Sequence, residues 1–290
     1  LHWMVHSFPT RRSSDLPYIR FGAAIILLLV FVSLFAGWIA PYEPDAIELQ
    51  SRHQPPSLRH WFGTDEMGRD VFSRTVYGAR ISLGIGVSAR PLGLLIGLFV
   101  GCISGYYGGK VDLLLQRLVD MTLAFPFLLL VISIAVIFSE MEHDLLGVLI
   151  ALSAVMWASL ARIMRSQVMV VKERDYVAAA RAFGASDFRI IVRHILPTSY
   201  VPALIWWTMG LAQAIMAEAG LSFLGLGAQP PTPSWGGMIN YGSSALRIAP
   251  WVTVFPGAAL ALTVLGFNLL GEGLRDVLDV RRTEDNADRL

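Results

Sequence analysis

The sequence predicts an all-α polytopic membrane protein that crosses the bilayer six times. Only 16% of its residues are charged against 54% hydrophobic, with a mean hydropathy of +0.56, whereas a soluble domain carries about 25% charged residues. The apolar residues collect in runs of bilayer length: roughly 20 residues rising 1.5 Å each reach across a ~30 Å hydrocarbon core. With six spans both termini share one side, and 16 of the 23 Lys and Arg residues lie there, against six opposite and Arg90 within a span. The positive-inside rule makes the richer side cytoplasmic, and setting Arg11 and Arg12 aside does not reverse it.

Residues 6–16, HSFPTRRSSDL, resemble a translated sequencing-adaptor read and are set aside from fold reasoning. The alternative is a native cytoplasmic tail ending at 20. Residues 21–40 hold twenty positions without a charge, too long a run for a cleaved signal peptide, and Trp38-Ile39-Ala40-Pro41 reads as an interfacial belt closing span one. Residues 41–80 form a polar external loop. Asp65, Glu66 and Asp70 beside His53 and His60 raise a metal site, but the spacing is irregular and the stretch Arg-rich. It reads instead as a solvated loop that orders the start of span two.

Span two, 81–107, repeats Gly93, Gly97, Gly101 and Gly105 at every fourth position, a close-packing stripe. Arg90-Pro91 interrupts it. An arginine at mid-membrane costs several kcal/mol unless it faces water or a partner, so Arg90 either lines a pore or is a local peculiarity. After a tight turn at Gly108-Gly109, span three (112–139) is expected to kink at Phe125-Pro126-Phe127. Asp120 could carry a proton, but Arg117 lies three residues before it on the same helical face, which reads as a local ion pair. An acidic turn at 140–144 leads to span four (145–160, extending toward Arg162 and Arg165), and span five covers 200–217. The loop from Glu218 to residue 249 is rich in Gly, Pro and aromatics, suiting a compact structure that is neither helix nor strand. Span six, 251–270, precedes a cytoplasmic tail over 277–290.

The longest charged stretch between spans is residues 172–197, KERDYVAAARAFGASDFRIIVRHILP, within a loop spanning 166–197. Two short helices are legible. Asp175 can cap the first, in which Ala178, Ala179, Ala180 and Ala182 make a small-residue surface, and Gly184 supplies a left-handed stop. Ser186 or Asp187 caps the second, bearing Phe188, Ile190, Ile191 and Ile195. Pro197 is expected to end the excursion as the chain re-enters lipid. A charged helix-turn-helix hung between membrane spans is a docking surface for something in the cytoplasm.

The Ala179-Ala180 pair, Gly184 and the closing Leu196-Pro197 resemble the EAA loop of bacterial ABC-importer permeases. DYVAAARAFGAS, RHILP, WFGTDEMGRDVFSRTVYGARISL (61–83) and FNLLGEGLRDVLDVRR (267–282) resemble the dipeptide/oligopeptide/nickel branch. Ala178 stands where the name-giving Glu is common, His194 where an Ile is common, and Val280 where a Pro is usual. The resemblance covers residues 20–282 and implies a type I importer (MetI-like) fold with a permease core over 81–276, in the bacterial cytoplasmic (inner) membrane. It implies a second homologous permease subunit, two ATP-binding subunits that carry the ATP and Mg, and an extracytoplasmic substrate-binding protein docking near 218–249. No cofactor or metal is expected on this chain. The resemblance makes Ala178, Ala179, Ala180, Arg181, Phe183, Gly184, Phe188, Arg189, Leu196 and Pro197 the ATPase-coupling residues. Arg90, Asp120 and Glu218 are candidates for pore or gate. Peptides of a few residues are the expected substrate, with nickel chelates, glutathione or another small solute as alternatives.

Other functions fit less well. A net charge of +1 argues against a nucleic-acid partner. No phosphate-binding loop is present, since Gly109-Lys110 is followed by Val111. A proton-driven transporter needs a membrane-embedded acid, but Glu218 and Glu272 are placed at span ends. No Ser/His, paired-Asp or zinc-binding constellation marks an intramembrane enzyme, so no catalytic residue is expected. The single cysteine, Cys102, lies in an apolar stretch and cannot form an internal disulfide.

Overall fold

The computed structural model describes residues 16–139 and 144–287. The adaptor-like stretch, the acidic turn between spans three and four, and the last three residues lie outside the described residues. Helix is the dominant order: α1 (Leu16–Leu34), α2 (Ala36–Ile39), α3 (Val71–Tyr107), α4 (Gly109–Ala124), α5 (Phe127–Ser139), α6 (Asp144–Val171), α7 (Asp175–Ala182), α8 (Asp187–Ile190), α9 (Leu196–Phe223), α10 (Trp235–Ser243) and α11 (Trp251–Ala287). Among the described residues five stretches are long and apolar enough to cross a membrane: Pro17–Leu34, Val71–Tyr107, Leu145–Val171, Asp187–Phe223 and Trp251–Leu278. The sixth crossing requires α4 and α5 taken together, and these meet at 93°. The break falls at Phe125-Pro126-Phe127, as the sequence implies, but it is a corner rather than a kink.

The long α3 is the axis of the bundle. Its glycine stripe lies against α6: a Cβ on Gly97 would come within 2.8 Å of the Trp157 carbonyl, and one on Gly105 within 2.8 Å of the Arg165 carbonyl. Close backbone approach is what a four-residue repeat of small side chains allows in lipid. Opposite, α1 packs on α11, where a Cβ on Gly22 would sit 2.8 Å from the Gly266 carbonyl. Among the apolar clusters of the described residues, three lie mainly within the bundle's long helices. Val131, Leu152 and Leu221 belong to one, Leu160, Met164 and Ile190 to a second, and Leu83, Ile215 and Trp235 to a third.

Several boundaries differ from the sequence reading, each for a local reason. The helix carrying span two opens at Val71 rather than Ile81, because Asp70 caps it: its Oδ2 accepts the Ser73 N–H at 2.7 Å. Pro197 does not end a helix. The chain is helical from Asp187 to Phe223, and a single π-helical turn, Ile191–Ile195, precedes the proline. A proline crowds the carbonyl four residues earlier and donates no hydrogen bond, and the wider turn absorbs both effects. The loop after span five is not free of helix, since Ser234 caps α10 by accepting the Gly237 N–H at 3.2 Å. The final helix runs on to Ala287, through most of the stretch expected as tail.

Residues 41–70 fold into a compact knot. Asp65 accepts the N–H groups of Met67 and Arg69 at 2.9 Å each and the Arg69 Nε at 2.7 Å. His60 Nδ1 lies 2.9 Å from Asp70 Oδ1. The Trp251 indole N–H donates to the Thr64 carbonyl at 3.1 Å, and the Trp235 indole to that of Thr75 at 2.9 Å. The acids weighed as metal ligands are therefore bound to arginine, histidine and backbone groups. The knot thus holds the start of α11, and the first turns of α3 hold the start of α10.

Candidate functional site

The hairpin of α7 and α8 projects from the end of the bundle opposite the knot. Its reverse turn is made by backbone bonds: Gly184 adopts φ +78°, the Ala185 N–H donates to the Ala180 carbonyl at 3.1 Å, and the Gly184 N–H to that of Arg181 at 3.0 Å. That pairing is a Schellman motif, and it needs a residue without a Cβ at its left-handed position. Ser186 caps α8 by accepting the Arg189 N–H at 3.4 Å. Asp175 is not a cap. It is the first residue of α7, where its charge favours the helix N-terminus, and Arg174 holds the cap position without a side-chain bond.

The hairpin has one face in the core and one in the open. Val177, Ile190 and Ile195 are completely buried against Cys102, Leu160 and Met164. On the other face Ala178, Ala179, Arg181, Gly184 and Arg189 are exposed, Ala180 is half-buried, and Phe183 and Phe188 are 92% and 76% exposed. Two aromatic rings thus stand in the open on a segment that is anchored beneath them, an exposed apolar patch. Leu196 and Pro197 stand apart from it, in the helix that leads back into the bundle. Phe188 also borders an apolar groove of about 690 Å³ lined by Phe99, Tyr107 and Val192.

Two further residues, Lys172 and Tyr106, tie the hairpin to α3 and are not among the site residues the sequence reading named. Lys172 Nζ donates to the Gly105 carbonyl at 2.9 Å, capping the last turn of α3. The Tyr106 hydroxyl donates to Asp187 Oδ1 at 2.7 Å, and the Arg181 guanidinium lies 5.8 Å over the Tyr106 ring. The segments on both sides of α7 are therefore bonded directly to the end of the central helix. The signal available in the sequence was the Tyr106-Tyr107 pair just before Gly108-Gly109.

Residues 93–284 match the family described as binding-protein-dependent transport system inner membrane component. The chain belongs to this family. It is a permease of a binding-protein-dependent ABC importer, and residues 19–56 also match the N-terminal transmembrane domain of oligopeptide transport permease C. The permease is 45% identical over 259 residues, 89% of this chain and 84% of the relative, to the glutathione transport system permease protein GsiD of Escherichia coli O6:K15:H31 (strain 536 / UPEC). It is 44% identical over 262 residues, 90% of this chain and 87% of the relative, to a protein of Brucella suis biovar 1 (strain 1330) provisionally named as a peptide transport system permease. Among solved structures it is similar to the inward-facing MetNI methionine ABC transporter, with TM-score 0.57, 18% identity, and 71% of this chain covering 96% of that one. An amino acid ABC transporter gives TM-score 0.54 at 16% identity, 71% of this chain covering 94%. These two likenesses show the fold, which is that of the MetI-like importer permeases.

Within the permease, the three pore or gate candidates do not come together. Arg90 is 1% exposed. Its guanidinium lies 3.5 Å over the Trp206 ring and donates to the Trp206 carbonyl and, at 3.4 Å, to that of Trp207. Trp206 in turn donates its indole N–H to Ser159 Oγ at 3.0 Å. The pore-lining reading of Arg90 thus gives way to a packing one: carbonyls and an aromatic face offset the cost of the buried cation and join α3, α6 and α9. Asp120 pairs with Arg162 of α6 at 2.7 Å, not with Arg117, because the bundle brings α6 across α4. Asp112 and Arg165 make a second bridge between the same helices at 2.6 Å. Glu218 is not at the start of a loop. It is completely buried inside α9, accepts the Ser222 hydroxyl at 2.7 Å, and lies beneath α10.

Gly210 supplies the room for Arg90, since a Cβ there would fall inside contact distance of the guanidinium. Gly210→Ala is therefore expected to destabilise the permease by about 1–3 kcal/mol, the usual range for overpacking. Adding Arg90→Ala should return part of that loss, so the pair is less damaging than the sum of the singles. Thermal unfolding of the detergent-solubilised protein measures both; additive losses would contradict the arrangement.

Proposed function

We propose that the permease is one of two homologous membrane subunits through which a bacterial importer carries peptides of a few residues across the cytoplasmic membrane. Two ATP-binding subunits sit beneath the pair and hold the ATP and Mg, and a binding protein delivers substrate to the knot and α10 at the outer face. The excess of Lys and Arg on the hairpin side supports a cytoplasmic position for that side and for both termini. Ala178, Ala179, Ala180, Arg181, Phe183, Gly184, Phe188 and Arg189 meet the ATPase, and Leu196 and Pro197 carry the motion into α9. ATP can drive transport only by binding one conformation better than another, so the hairpin contacts must differ between inward-open and outward-open states.

The observation that carries this reading is the hairpin itself, with exposed aromatics above and completely buried Val177, Ile190 and Ile195 below. An anchored lever transmits force; a loosely attached loop does not. A second substrate reading is glutathione, favoured by the 45% identity to a glutathione transport permease. Both are tested by titrating the cognate binding protein with di- and tripeptides, glutathione and nickel chelates. Micromolar or tighter binding of peptides supports the proposal. Binding of glutathione with ordinary tripeptides excluded selects the second reading, and binding of nickel or a sugar alone overturns both.

A further inference from the structure

A groove of about 480 Å³ lies between the start of α5, α9 and α11, bordered by Phe127, Met209, Gln213, Met216 and Asn268. Gln213 and Asn268 are exposed, each well inside a stretch long and apolar enough to cross the membrane. Neither carboxamide has a hydrogen-bond partner among the described residues. The outer face of α1 is different, since Leu27, Leu28, Phe31 and Leu34 are exposed there and offer lipid nothing polar. Two unpaired amides on one face are costly against hydrocarbon, where no water satisfies them. The face that carries them is therefore wet or partnered.

We infer that this groove is a wall of the water-filled substrate path, and that Gln213 and Asn268 hydrogen-bond the backbone amides of the peptide passing along it. The inference rests on the peptide reading above. Each carboxamide offers two donors and an acceptor without net charge, which complements a peptide N–H and C=O whatever side chains they carry. Met209 and Met216 border the same groove, and their unbranched thioethers repack around side chains of different shape. The wall reads the backbone and is indifferent to the sequence attached to it.

The test uses Gln213→Cys and Asn268→Cys in the complete transporter reconstituted in vesicles, with buried Cys102 as the internal unreactive thiol. A charged, water-soluble thiosulfonate is expected to label both new thiols, and tri-alanine with its binding protein and ATP to slow that labelling at least threefold. Labelling only by a lipid-soluble maleimide, or by neither reagent, would overturn the assignment. Independently, Gln213→Leu with Asn268→Leu is expected to lower tri-alanine uptake at least tenfold, and unchanged uptake would remove the amide contacts. If the unaltered transporter imports no tri-alanine, the peptide reading fails, while labelling by the charged reagent would still place the groove in water.

Discussion

Gly184→Asp is expected to cut substrate-stimulated ATP hydrolysis at least tenfold while leaving the permease inserted and folded. The glycine sits at φ +78° with nothing within 4 Å of where a Cβ would go, so the substitution meets no clash and leaves the bundle core intact. Its damage is local. A side chain in the left-handed region costs up to roughly 1–2 kcal/mol, less for Asp and Asn than for most residues, so the strain on the Schellman turn that sets the angle between α7 and α8 is joined by the new charge as the second source of damage. The exposed Phe183 lies next to the turn, and a carboxylate would stand in the same surface. Gly184→Asn is the companion variant, because asparagine tolerates the left-handed region as aspartate does but brings no charge, and it should retain more of the stimulation. The readout is hydrolysis by the reconstituted complex with and without loaded binding protein; normal stimulation in Gly184→Asp would count against the coupling role.

Gly101→Leu is expected to prevent recovery of an assembled, monodisperse complex. A Cβ at 101 would lie 2.6 Å from both the Ala161 carbonyl and the Met164 Cβ. Neither atom is the free end of a flexible side chain, so α3 and α6 would have to part along the glycine stripe. Overpacking typically costs about 1–3 kcal/mol, and a backbone obstruction belongs at or above the top of that range. Gly84→Leu provides the control on the same helix, because a Cβ there meets nothing within 4 Å. Size-exclusion profiles and protease resistance of the two variants should differ sharply, and equal behaviour would show that the stripe is not a tight interface.

What was legible in the sequence was what depends on neighbours along the chain. The stripe from Gly93 to Gly105, the left-handed stop at Gly184 and the Ser186 cap are local patterns, and each has a local physical cause. The family resemblance was legible for the same reason, since its motifs are short and contiguous. What escaped depends on distant parts of the fold. Asp120 meets Arg162 only because α6 crosses α4, and the Arg90 guanidinium reaches the Trp206 carbonyl only because Gly210 leaves space on α9. Tyr106 reaches Asp187 across 81 positions of sequence. Two errors had another origin. The helix runs on through Pro197, where the sequence expects the excursion to end, because the π-helical turn that accommodates it has no sequence signature, and α10 escapes the pattern because Gly236, Gly237 and Gly242 disguise a capped helix as loop.

The central claim is that the α7–α8 hairpin faces the cytoplasm and is covered there by an ATPase, and Phe183→Cys tests it most directly. The account predicts that a membrane-impermeant thiol reagent labels this position in inside-out vesicles stripped of the ATPase, fails to label it in intact cells, and is blocked when the ATPase is added back. Labelling in intact cells, or labelling in vesicles that the added ATPase does not diminish, would contradict it.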